Sequence, residues 1–342
     1  MVEKEFELEE ILNNNSVILY NLCENIPFTQ EFFYGDWQKK NNRNIRRFVI
    51  RRKKEVLAYF QIICYPLIFK KKYLYIPYGP VIKIFSENIL NFIKKNLLQI
   101  AKQNNAIFVR LDFTPTCNQI ILEKIFKLAP LYTYHSAFFQ PRAEWFLKLD
   151  IDSASIFMQM DKKTRYSINL SEKRGVQSEI VNYDFEKYFP IFWELMTDTA
   201  TRNHFNLHPK KYYEDIFKSL PSIPNSYLVI AKYNLEILAI SVVIVFDKVA
   251  NYVLGASSSL ERTREPSYSA QWLGIKHAKK ISCDYYNFGG VSTANDNHKS
   301  WDNLSTFKRR FGGEVRQHSP LFDIIVNHFW YYIYTTRHFF KK

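Results

Sequence analysis

The sequence predicts an α+β protein that is divided into two domains. A chain of 342 residues is long for a single hydrophobic core. Apolar residues make up 47% of it, enough to fill two cores. An order of hairpin strands, a helix and a further strand also occurs once in each half. The halves share no alignable residues, so the repeat is one of pattern alone.

The first half contains apolar runs of strand length and one long amphipathic helix. A charged turn separates the first two runs, and Pro77 stops the third. The predicted elements are strands at Arg47–Arg51, Val56–Ile63 and Tyr73–Ile76, a helix at Glu87–Gln103 and a strand at Ala106–Phe113.

The second half begins with helices and then repeats the same order. The predicted elements are helices at Phe185–Asn203 and Tyr212–Leu220, strands at Ser226–Lys232, Leu235–Phe246 and Ala250–Ala256, a helix at Ser269–Ile281 and a strand at Tyr285–Phe288.

The domain boundary is expected near Asp150, where a predicted strand at Trp145–Leu149 ends. The first domain then comprises residues 1–150 plus 316–342, and the second comprises residues 151–315. The aromatic segment Phe329–Phe340 is expected to pack back on the first domain. Its mixture of aromatic and basic residues also suits the inner face of a membrane, which is the alternative.

The formal net charge of +14 favours a polyanionic partner. Nucleic acid, anionic lipid and nucleotide-linked sugars all qualify, and a soluble basic surface is the alternative. Five cations lie on a predicted helix, where they form either a solvated face or a set of phosphate contacts. They are Lys162, Lys163, Arg165, Lys173 and Arg174.

Several classes of protein are disfavoured. The four cysteines have no CxxC or Cys/His spacing, so no metal site is expected and they are interpreted as buried free thiols of a reducing compartment. The acidic start Met1–Glu10 lacks the apolar region of a signal peptide. The longest apolar run, Ile237–Phe246, is too short to cross a bilayer. A cytoplasmic protein is expected, either free or at the inner face of the membrane.

A series of motifs in the second half is more specific than any of these patterns. They are Gln140-Pro141, Lys163-x-Arg165-Tyr166-x-Ile168, Gly175-Val176, Thr199-Ala200-x-Arg202, His208-x-x-x-x-Tyr213, Gly255-Ala256-Ser257-Ser258, Tyr268, Gln271-Trp272, Tyr285–Gly290 and Phe307-Lys308-x-x-Phe311-Gly312-Gly313-Glu314. Upstream, Tyr75–Pro80 and Arg110-Leu111-Asp112 belong to the same series. In order and spacing they resemble the FemA/FemB/FemX family of aminoacyl-tRNA-dependent peptidoglycan bridge transferases.

The resemblance implies two tandem GNAT-like (acyl-CoA N-acyltransferase-like) domains with a cleft between them. Many members carry a helical coiled-coil arm, but here Leu220–Tyr227 is a short loop and no heptad stretch exists. The chain therefore resembles the short FemX type. The first domain is expected to bind the precursor, and the second the aminoacyl-tRNA.

The implied reaction transfers an amino acid, with glycine preferred, from aminoacyl-tRNA to the side-chain amine of a diamino acid. The acceptor is either lipid II or UDP-MurNAc-pentapeptide. Because the tRNA ester is already activated, no cofactor is expected, and the aminoacyl-tRNA is a co-substrate. A monomer is expected.

The resemblance also assigns roles to individual residues. Lys308, after Phe307, is expected to bind the tRNA end and the developing oxyanion, and an ordinary surface lysine is the alternative. Asp112 is a candidate base, with structural capping of the Thr114-Pro115 turn as the alternative. Arg309 joins the predicted tRNA-binding cations. The expected precursor contacts are Lys39, Arg202, Tyr213, Tyr268 and Tyr78, although buried structural roles are equally open for Tyr213 and Tyr268.

Two other functions are carried as alternatives. A CoA-dependent N-acyltransferase could use the same fold, but its Q/R-x-x-G-x-G/A loop is missing. Arg309-x-x-Gly312 begins such a loop, and Glu314 stands where Gly or Ala is needed. The charge also permits an RNA-binding protein without enzyme activity, although no RRM, KH or zinc-knuckle signature is present.

Overall fold

The chain forms two compact units in the computed structural model, which describes residues 6–12, 17–20, 22–114, 117–130, 140–293 and 301–339. The first unit comprises Met1–Arg142 and Gln317–Lys342, and the second comprises Ala143–Arg316. The strand that the sequence analysis places before the boundary therefore lies in the second unit. Pro115, Phe340 and part of the Tyr285–Glu314 motif block fall outside the described residues.

Helices and strands are mixed along both units. The first unit begins with β1 (Glu7–Glu10), α1 (Val17–Tyr20), α2 (Phe32–Lys40), β2 (Asn44–Arg52), β3 (Glu55–Pro66), β4 (Lys72–Ile76), β5 (Val81–Ile82), α3 (Glu87–Gln103), β6 (Ala106–Leu111), α4 (Gln119–Ile125) and β7 (Lys127–Leu128). The second contains β8 (Ala143–Lys148), α5 (Ser153–Gln159), α6 (Lys162–Lys173), β9 (Gln177–Val181), α7 (Phe189–Asn203), α8 (Lys210–Ser219), β10 (Tyr227–Tyr233), β11 (Glu236–Phe246), β12 (Val249–Ser257), α9 (Pro266–Lys280), β13 (Tyr285–Gly290), α10 (Asp302–Arg309) and β14 (Glu314–Gln317). The chain then returns to the first unit with β15 (Phe322–Ile325) and α11 (His328–Phe339).

The sheet of the first unit runs in the order β1-β2-β3-β4-β6-β15-β7, with β5 beside β3. Helix α3 covers one face of it because its apolar residues recur at helical spacing and are buried, among them Ile89, Ile93 and Leu97. The Ser86 side chain caps the first turn, and Glu87 suits the positive end of the helix. The result is a core between α3 and the strands.

The sheet of the second unit runs in the order β14-β8-β13-β12-β11-β10-β9. Its core is built from strands β10 to β13 and from α9, whose Ala270, Ile275 and Ala278 are buried. Between α8 and β10 the chain makes one turn of 3-10 helix at Leu220–Ser222. No coiled-coil arm interrupts the described part of this segment.

The duplicated pattern expected from the sequence is confirmed. In the first unit β2, β3 and β4 are antiparallel, α3 follows, and β6 pairs with β4 in parallel. In the second unit β10, β11 and β12 are antiparallel, α9 follows, and β13 pairs with β12 in parallel. In each unit a helical crossover therefore joins two strands that pair in parallel.

Helix α11 packs on the first unit, as expected from its apolar content. Tyr334 contacts the rings of Tyr73 and Phe108, and the Tyr331 hydroxyl donates to Asp323 at 2.7 Å. Asp323 in turn binds the guanidinium of Arg110 through two hydrogen bonds of 2.6 and 2.7 Å, with both side chains fully buried. This ion pair joins β15, and through it α11, to the centre of the sheet.

Two expectations from the sequence concern membrane-spanning helices and the burial of the cysteines. Among the helices of the described residues, none is both long enough and apolar enough to span a bilayer. The four cysteines carry free thiols, but the expectation that all are buried is wrong, because only Cys283 of the four is buried.

Candidate active site

Two parallel strands of the second unit separate at one edge of its sheet. β12 and β13 pair up to Asn251 and Asn287. Beyond this point β12 continues to Ser257 along β11, whereas Gly290 of β13 is paired with Glu144 of β8. Because the two strands are parallel, their carboxyl ends lie at the same edge, with a gap opening between them.

A buried polar network lies where these strands separate. The Asn287 amide donates to the Asn251 side chain at 3.1 Å and to the Glu144 carboxylate at 3.2 Å. Its own side-chain oxygen accepts the backbone N–H of Gly289 at 2.8 Å. Gly289 has a φ of +75°, a conformation that favours glycine. Asn287 therefore fixes both the neighbouring carboxylate and the turn at the end of β13.

Helix α10 brings Lys308 to this network. The ammonium donates to the Gly290 carbonyl at 2.6 Å, and the residue is only 6% exposed. The alternative interpretation of Lys308 as a surface lysine is therefore wrong. Burial lowers the pKa of Lys308 to about 8, against the opposing charge of Glu144. With that pKa, most of the molecules carry a charged ammonium at pH 7.

The remainder of the Phe307–Glu314 block surrounds Tyr268. The rings of Tyr268 and Phe307 meet edge to face with centroids 5.0 Å apart, and Phe311 stacks on Tyr268 at 5.7 Å. Burial raises the pKa of the Tyr268 phenol, while a hydrogen bond with Arg310 opposes that shift. The sequence motifs thus place Tyr268 against the residue that precedes Lys308, although the two lie far apart in sequence.

Gly313 allows β14 to approach β8. A Cβ atom on Gly313 would lie 2.3 Å from the Phe146 carbonyl oxygen, and its φ is +104°. The Gly312 carbonyl accepts the indole N–H of Trp145 at 2.7 Å. A larger residue at position 313 would force β14 away from β8, the strand that carries Glu144.

Arg202, at the end of α7, is held at the carboxyl end of β12. Its guanidinium donates to the Ser257 carbonyl at 3.1 Å and to the Ser257 and Ser259 hydroxyls, both at 3.0 Å. The Thr199 hydroxyl also donates to the Ser257 carbonyl, at 2.9 Å. Burial and the nearby charge of Arg262 lower the pKa of Arg202. Two predicted motifs therefore meet here, at the sheet edge that also holds Gly290.

Two tyrosines that are predicted substrate contacts are buried and form hydrogen bonds within the fold. The Tyr213 hydroxyl accepts the backbone N–H of His208 at 3.3 Å. The Tyr78 hydroxyl donates to the Pro141 carbonyl at 2.6 Å, and its ring stacks on His318. The buried structural role, left open by the sequence for Tyr213, matches what is found at both positions.

Asp112, the predicted base, is buried in the first unit. One carboxylate oxygen accepts the Tyr75 hydroxyl at 2.7 Å and the other accepts the backbone N–H of Tyr78. Burial raises the pKa of Asp112 to about 6. Both oxygens therefore hold the end of β4 and the turn after it, which favours a structural role at Tyr75–Pro80 over a role as base.

Lys39 differs from these residues in being half exposed. It lies in the last turn of α2, and its ammonium forms an ion pair with Asp36 at 3.1 Å. Asp36 also binds the buried guanidinium of Arg47 at 2.9 Å. An anionic ligand could therefore reach Lys39 from solvent.

The predicted nucleic-acid cations divide into two groups. Lys162, Lys163, Lys173 and Arg174 are exposed at the two ends of α6. Arg165 instead donates to the carbonyls of Met158 and Met160, at 2.8 and 2.6 Å. Arg309 donates to the Ser292 carbonyl, and its guanidinium lies over the Trp145 ring.

The exposed cations of α6 extend into a second basic segment. Arg174 donates to the Thr263 carbonyl, and Arg264 donates to the Arg174 carbonyl at 2.5 Å. Lys163 and Arg174 also act electrostatically on Glu265, the residue before α9. The basic surface of this unit is therefore made by α6 together with the turn that precedes α9.

Comparison with known proteins assigns the family. The model of the FemAB family matches residues 25–124, 131–238 and 229–338. The chain belongs to the FemAB family. A curated relative, the lipid II:glycine glycyltransferase of Staphylococcus haemolyticus (strain JCSC1435), is 22% identical, and the match covers 56% of this chain and 60% of that relative.

Solved structures establish the fold. A crystal structure of FemX superimposes with a TM-score of 0.84 at 19% identity, covering 96% of this chain and 99% of that one. A tandem GNAT protein from the clavulanic acid biosynthesis pathway gives a TM-score of 0.57 at 9% identity, covering 94% and 99%. This member of the FemAB family thus has two tandem GNAT-like units, as predicted.

Two members of the site were not predicted from the sequence. Asn287 lies inside the Tyr285–Gly290 motif block, where an amide within a predicted strand, two residues before a pair of glycines, was an available signal. Glu144 is the one carboxylate in the otherwise apolar start of β8, Ala143–Phe146. A lone carboxylate in a buried strand requires a partner, and that was its signal.

Proposed function

We propose that the chain transfers an amino acid from aminoacyl-tRNA to the side-chain amine of the diamino acid in a peptidoglycan precursor. The family and the name of the glycyltransferase relative support this reaction, and glycine is the proposed amino acid. The amine attacks the ester carbonyl, a C–N bond forms, and the ester C–O bond breaks to release the ribose hydroxyl of the tRNA end.

The observation that carries the proposal is the buried ammonium of Lys308 at the edge where β12 and β13 separate. A charged donor that is already held in place stabilises a developing oxyanion without reorganising at the moment of reaction. Its hydrogen bond to the Gly290 carbonyl provides that placement, and Glu144 helps to keep the proton on it. The Phe307 and Tyr268 rings shield the same helix from water.

The exposed basic surface of the second unit is proposed to bind the tRNA backbone. Lys162, Lys163, Lys173 and Arg174 are free of the carbonyl contacts that hold Arg165 and Arg309, apart from the bond between Arg174 and Thr263. Phosphate contacts of this kind position a nucleic acid without reading its sequence. Affinity for tRNA should accordingly fall steeply as salt rises.

Arg202 and Lys39 are proposed to contact the sugar and diphosphate of the precursor. Ser257 and Ser259 orient the Arg202 guanidinium, and a planar fork suits bidentate binding of phosphate oxygens. The acceptor is either lipid II or UDP-MurNAc-pentapeptide. The reaction is proposed to occur in the cytoplasm, where both substrates are available, with the chain acting as a monomer.

The proton released by the attacking amine is proposed to leave through the substrate. Asp112 has both carboxylate oxygens bound to the Tyr75–Tyr78 turn, so taking a proton would disrupt that turn. The variant Asp112→Asn should therefore be clearly less stable than the wild type, whereas the pH dependence of its transfer rate should change little.

The fold alone also permits a CoA-dependent N-acyltransferase. The geometry of the Arg309-x-x-Gly312 segment speaks against it, because Arg309 is the last residue of α10. Pyrophosphate loops of that class stand at a helix amino terminus, where the N–H groups and the positive end of the dipole face the anion. Here the segment stands at the carboxyl terminus of a helix. Micromolar binding of acetyl-CoA in a titration would favour this alternative.

One assay tests the proposed reaction directly. Purified protein is incubated with a panel of charged tRNAs and with lipid II or UDP-MurNAc-pentapeptide, and the products are identified by mass. We expect addition of glycine to one of the two precursors. No addition from any charged tRNA to either precursor would contradict the proposal.

Two variants show whether Lys308 carries the transfer. Lys308→Ala should lower the rate about a hundredfold or more, as loss of an oxyanion donor does. Lys308→Met keeps the length of the buried side chain and should be equally inactive while remaining folded. The control is Lys248→Ala, an exposed lysine of the same unit with a side chain 70% accessible. Turnover near that of the wild type in folded Lys308→Met would refute the role.

A further inference from the structure

Exposed aromatic side chains from two separate segments of the first unit meet at one place. The 3-10 turn Ile68–Lys70 presents Phe69, and α11 presents Phe329 and Tyr332, with exposures of 69%, 67% and 68%. Trp330 joins them, since its ring lies 5.6 Å from that of Phe69 and 5.7 Å from that of Phe329. We call this set, with Ile68, the aromatic edge.

The segments that carry the aromatic edge are anchored within the first unit, although the exposed rings face solvent. The other face of α11 is anchored by Tyr331 on Asp323 and by Tyr334 on Phe108. The 3-10 turn Ile68–Lys70 is closed by a hydrogen bond from the Leu67 N–H to the Lys71 carbonyl at 2.7 Å. The exposed rings therefore belong to segments whose other side is packed on the first unit.

The backbone of the projecting turn is strained. Phe69 and Lys70 have φ values of 55° and 56°, in the left-handed region that non-glycine residues avoid. Such a conformation costs of the order of 1 kcal/mol for each residue. Within the fold the Phe69 ring contacts Trp330, yet it stays 69% exposed on this strained backbone, which indicates an external contact.

The segments that form and adjoin the aromatic edge carry positive charge. Lys70 is exposed beside Phe69, and the ammonium of Lys71 lies 5.7 Å from the Trp330 ring. Lys72 and Lys102 lie in the adjoining segments. None of the residues in 67–72, 102–105 and 327–339 is Asp or Glu. The surface therefore complements an anionic partner, with aromatic rings at its centre.

We propose that the aromatic edge docks the protein on an anionic lipid bilayer. Aromatic side chains settle at the boundary between headgroups and acyl chains, while lysines beside them face the lipid phosphates. A protein partner fits less well, because lysine is depleted from the cores of protein interfaces. The inference concerns the first unit alone and does not depend on the proposed transferase activity.

Vesicle binding tests this proposal. The full chain is mixed with vesicles of phosphatidylcholine alone and with vesicles containing phosphatidylglycerol, and the bound fraction is measured by flotation. We expect binding to the anionic vesicles that weakens as salt rises. Lys70→Glu should weaken binding at least about fivefold, the usual effect of removing one surface cation. Phe69→Ser should weaken it by a similar or larger factor, because the ring no longer enters the bilayer.

Matched variants separate the aromatic edge from general charge and apolarity. Tyr183→Ser removes a ring that is also 69% exposed, but in the second unit. Lys53→Glu reverses an exposed lysine in the β2–β3 turn. Both should bind vesicles as the wild type does. Three results would overturn the proposal: no binding to anionic vesicles, equal losses in test and control variants, or self-association that Phe69→Ser abolishes without any vesicle binding.

Discussion

The buried ammonium of Lys308 predicts a specific dependence of stability on pH. Its pKa falls from 10.5 in the unfolded chain to about 8 in the folded one because burial disfavours the charged form. A change of roughly 2.5 units corresponds to about 3 kcal/mol. The folded state binds fewer protons than the unfolded state between these two pKa values, so stability due to this group rises with pH there. The penalty is complete below about pH 8 and is gone above about pH 10.5.

Comparison with Lys308→Met isolates that effect. We expect the difference in unfolding free energy between wild type and variant to shift in favour of the wild type by about 3 kcal/mol from pH 7 to pH 10.5. At pH 9 the slope should be about 1 kcal/mol for each pH unit. The difference is obtained by urea unfolding of both proteins at several pH values, from the transition in which the second unit unfolds. Lys248→Met is the control, and its profile should follow that of the wild type. An unchanged difference across this range would refute the burial argument.

Three further predictions concern other parts of the chain. Asp323→Asn should destabilise the first unit by about 3 to 5 kcal/mol in urea unfolding, since it leaves the buried Arg110 without its counter-charge; a loss below about 1 kcal/mol would contradict this. Arg202→Lys should raise the KM for the precursor about tenfold by losing the bidentate fork, and an unchanged KM would argue against diphosphate contact. The double variant Lys162→Glu and Lys173→Glu should weaken tRNA binding and lower the slope of log affinity against log salt by about 2, and an unaltered slope would exclude phosphate contacts there.

Elements with a strong hydrophobic period are predicted well from sequence. The predicted bounds of helix α3 match those observed because its buried residues recur at helical spacing and Ser86 caps it. Helix α2 is missed because aromatic residues stand on most of its faces and Gly35 interrupts the pattern. Gly35 is required for a tertiary reason, since a Cβ there would lie 2.4 Å from the Gln61 side chain. Local sequence does not contain that contact.

The site is predicted only in part from sequence, and the limit has a physical cause. Motif resemblance selects Lys308, but its surroundings depend on strand pairings between residues far apart in sequence. Glu144 and Gly290 become neighbours only because β8 pairs with β13. Tyr78 is selected by the same kind of resemblance, yet its hydroxyl donates a hydrogen bond to the Pro141 carbonyl within the fold. A family motif therefore contains both residues that bind substrate and residues that hold the backbone in place. The motif alone does not show which residue belongs to which group.

The motif blocks around Lys308 act together to position one side chain, although they are separate in sequence. Gly313 allows β14 to lie close against β8, and β8 then brings Glu144 opposite Gly290. The Gly290 carbonyl and the Glu144 charge together hold an ammonium that burial alone would discharge more readily. We expect substitution of Gly313 or Glu144 to change the protonation or the position of Lys308, although neither change alters the lysine itself. The wide spacing of these residues in sequence therefore follows from a single requirement, which is a lysine that is both buried and charged.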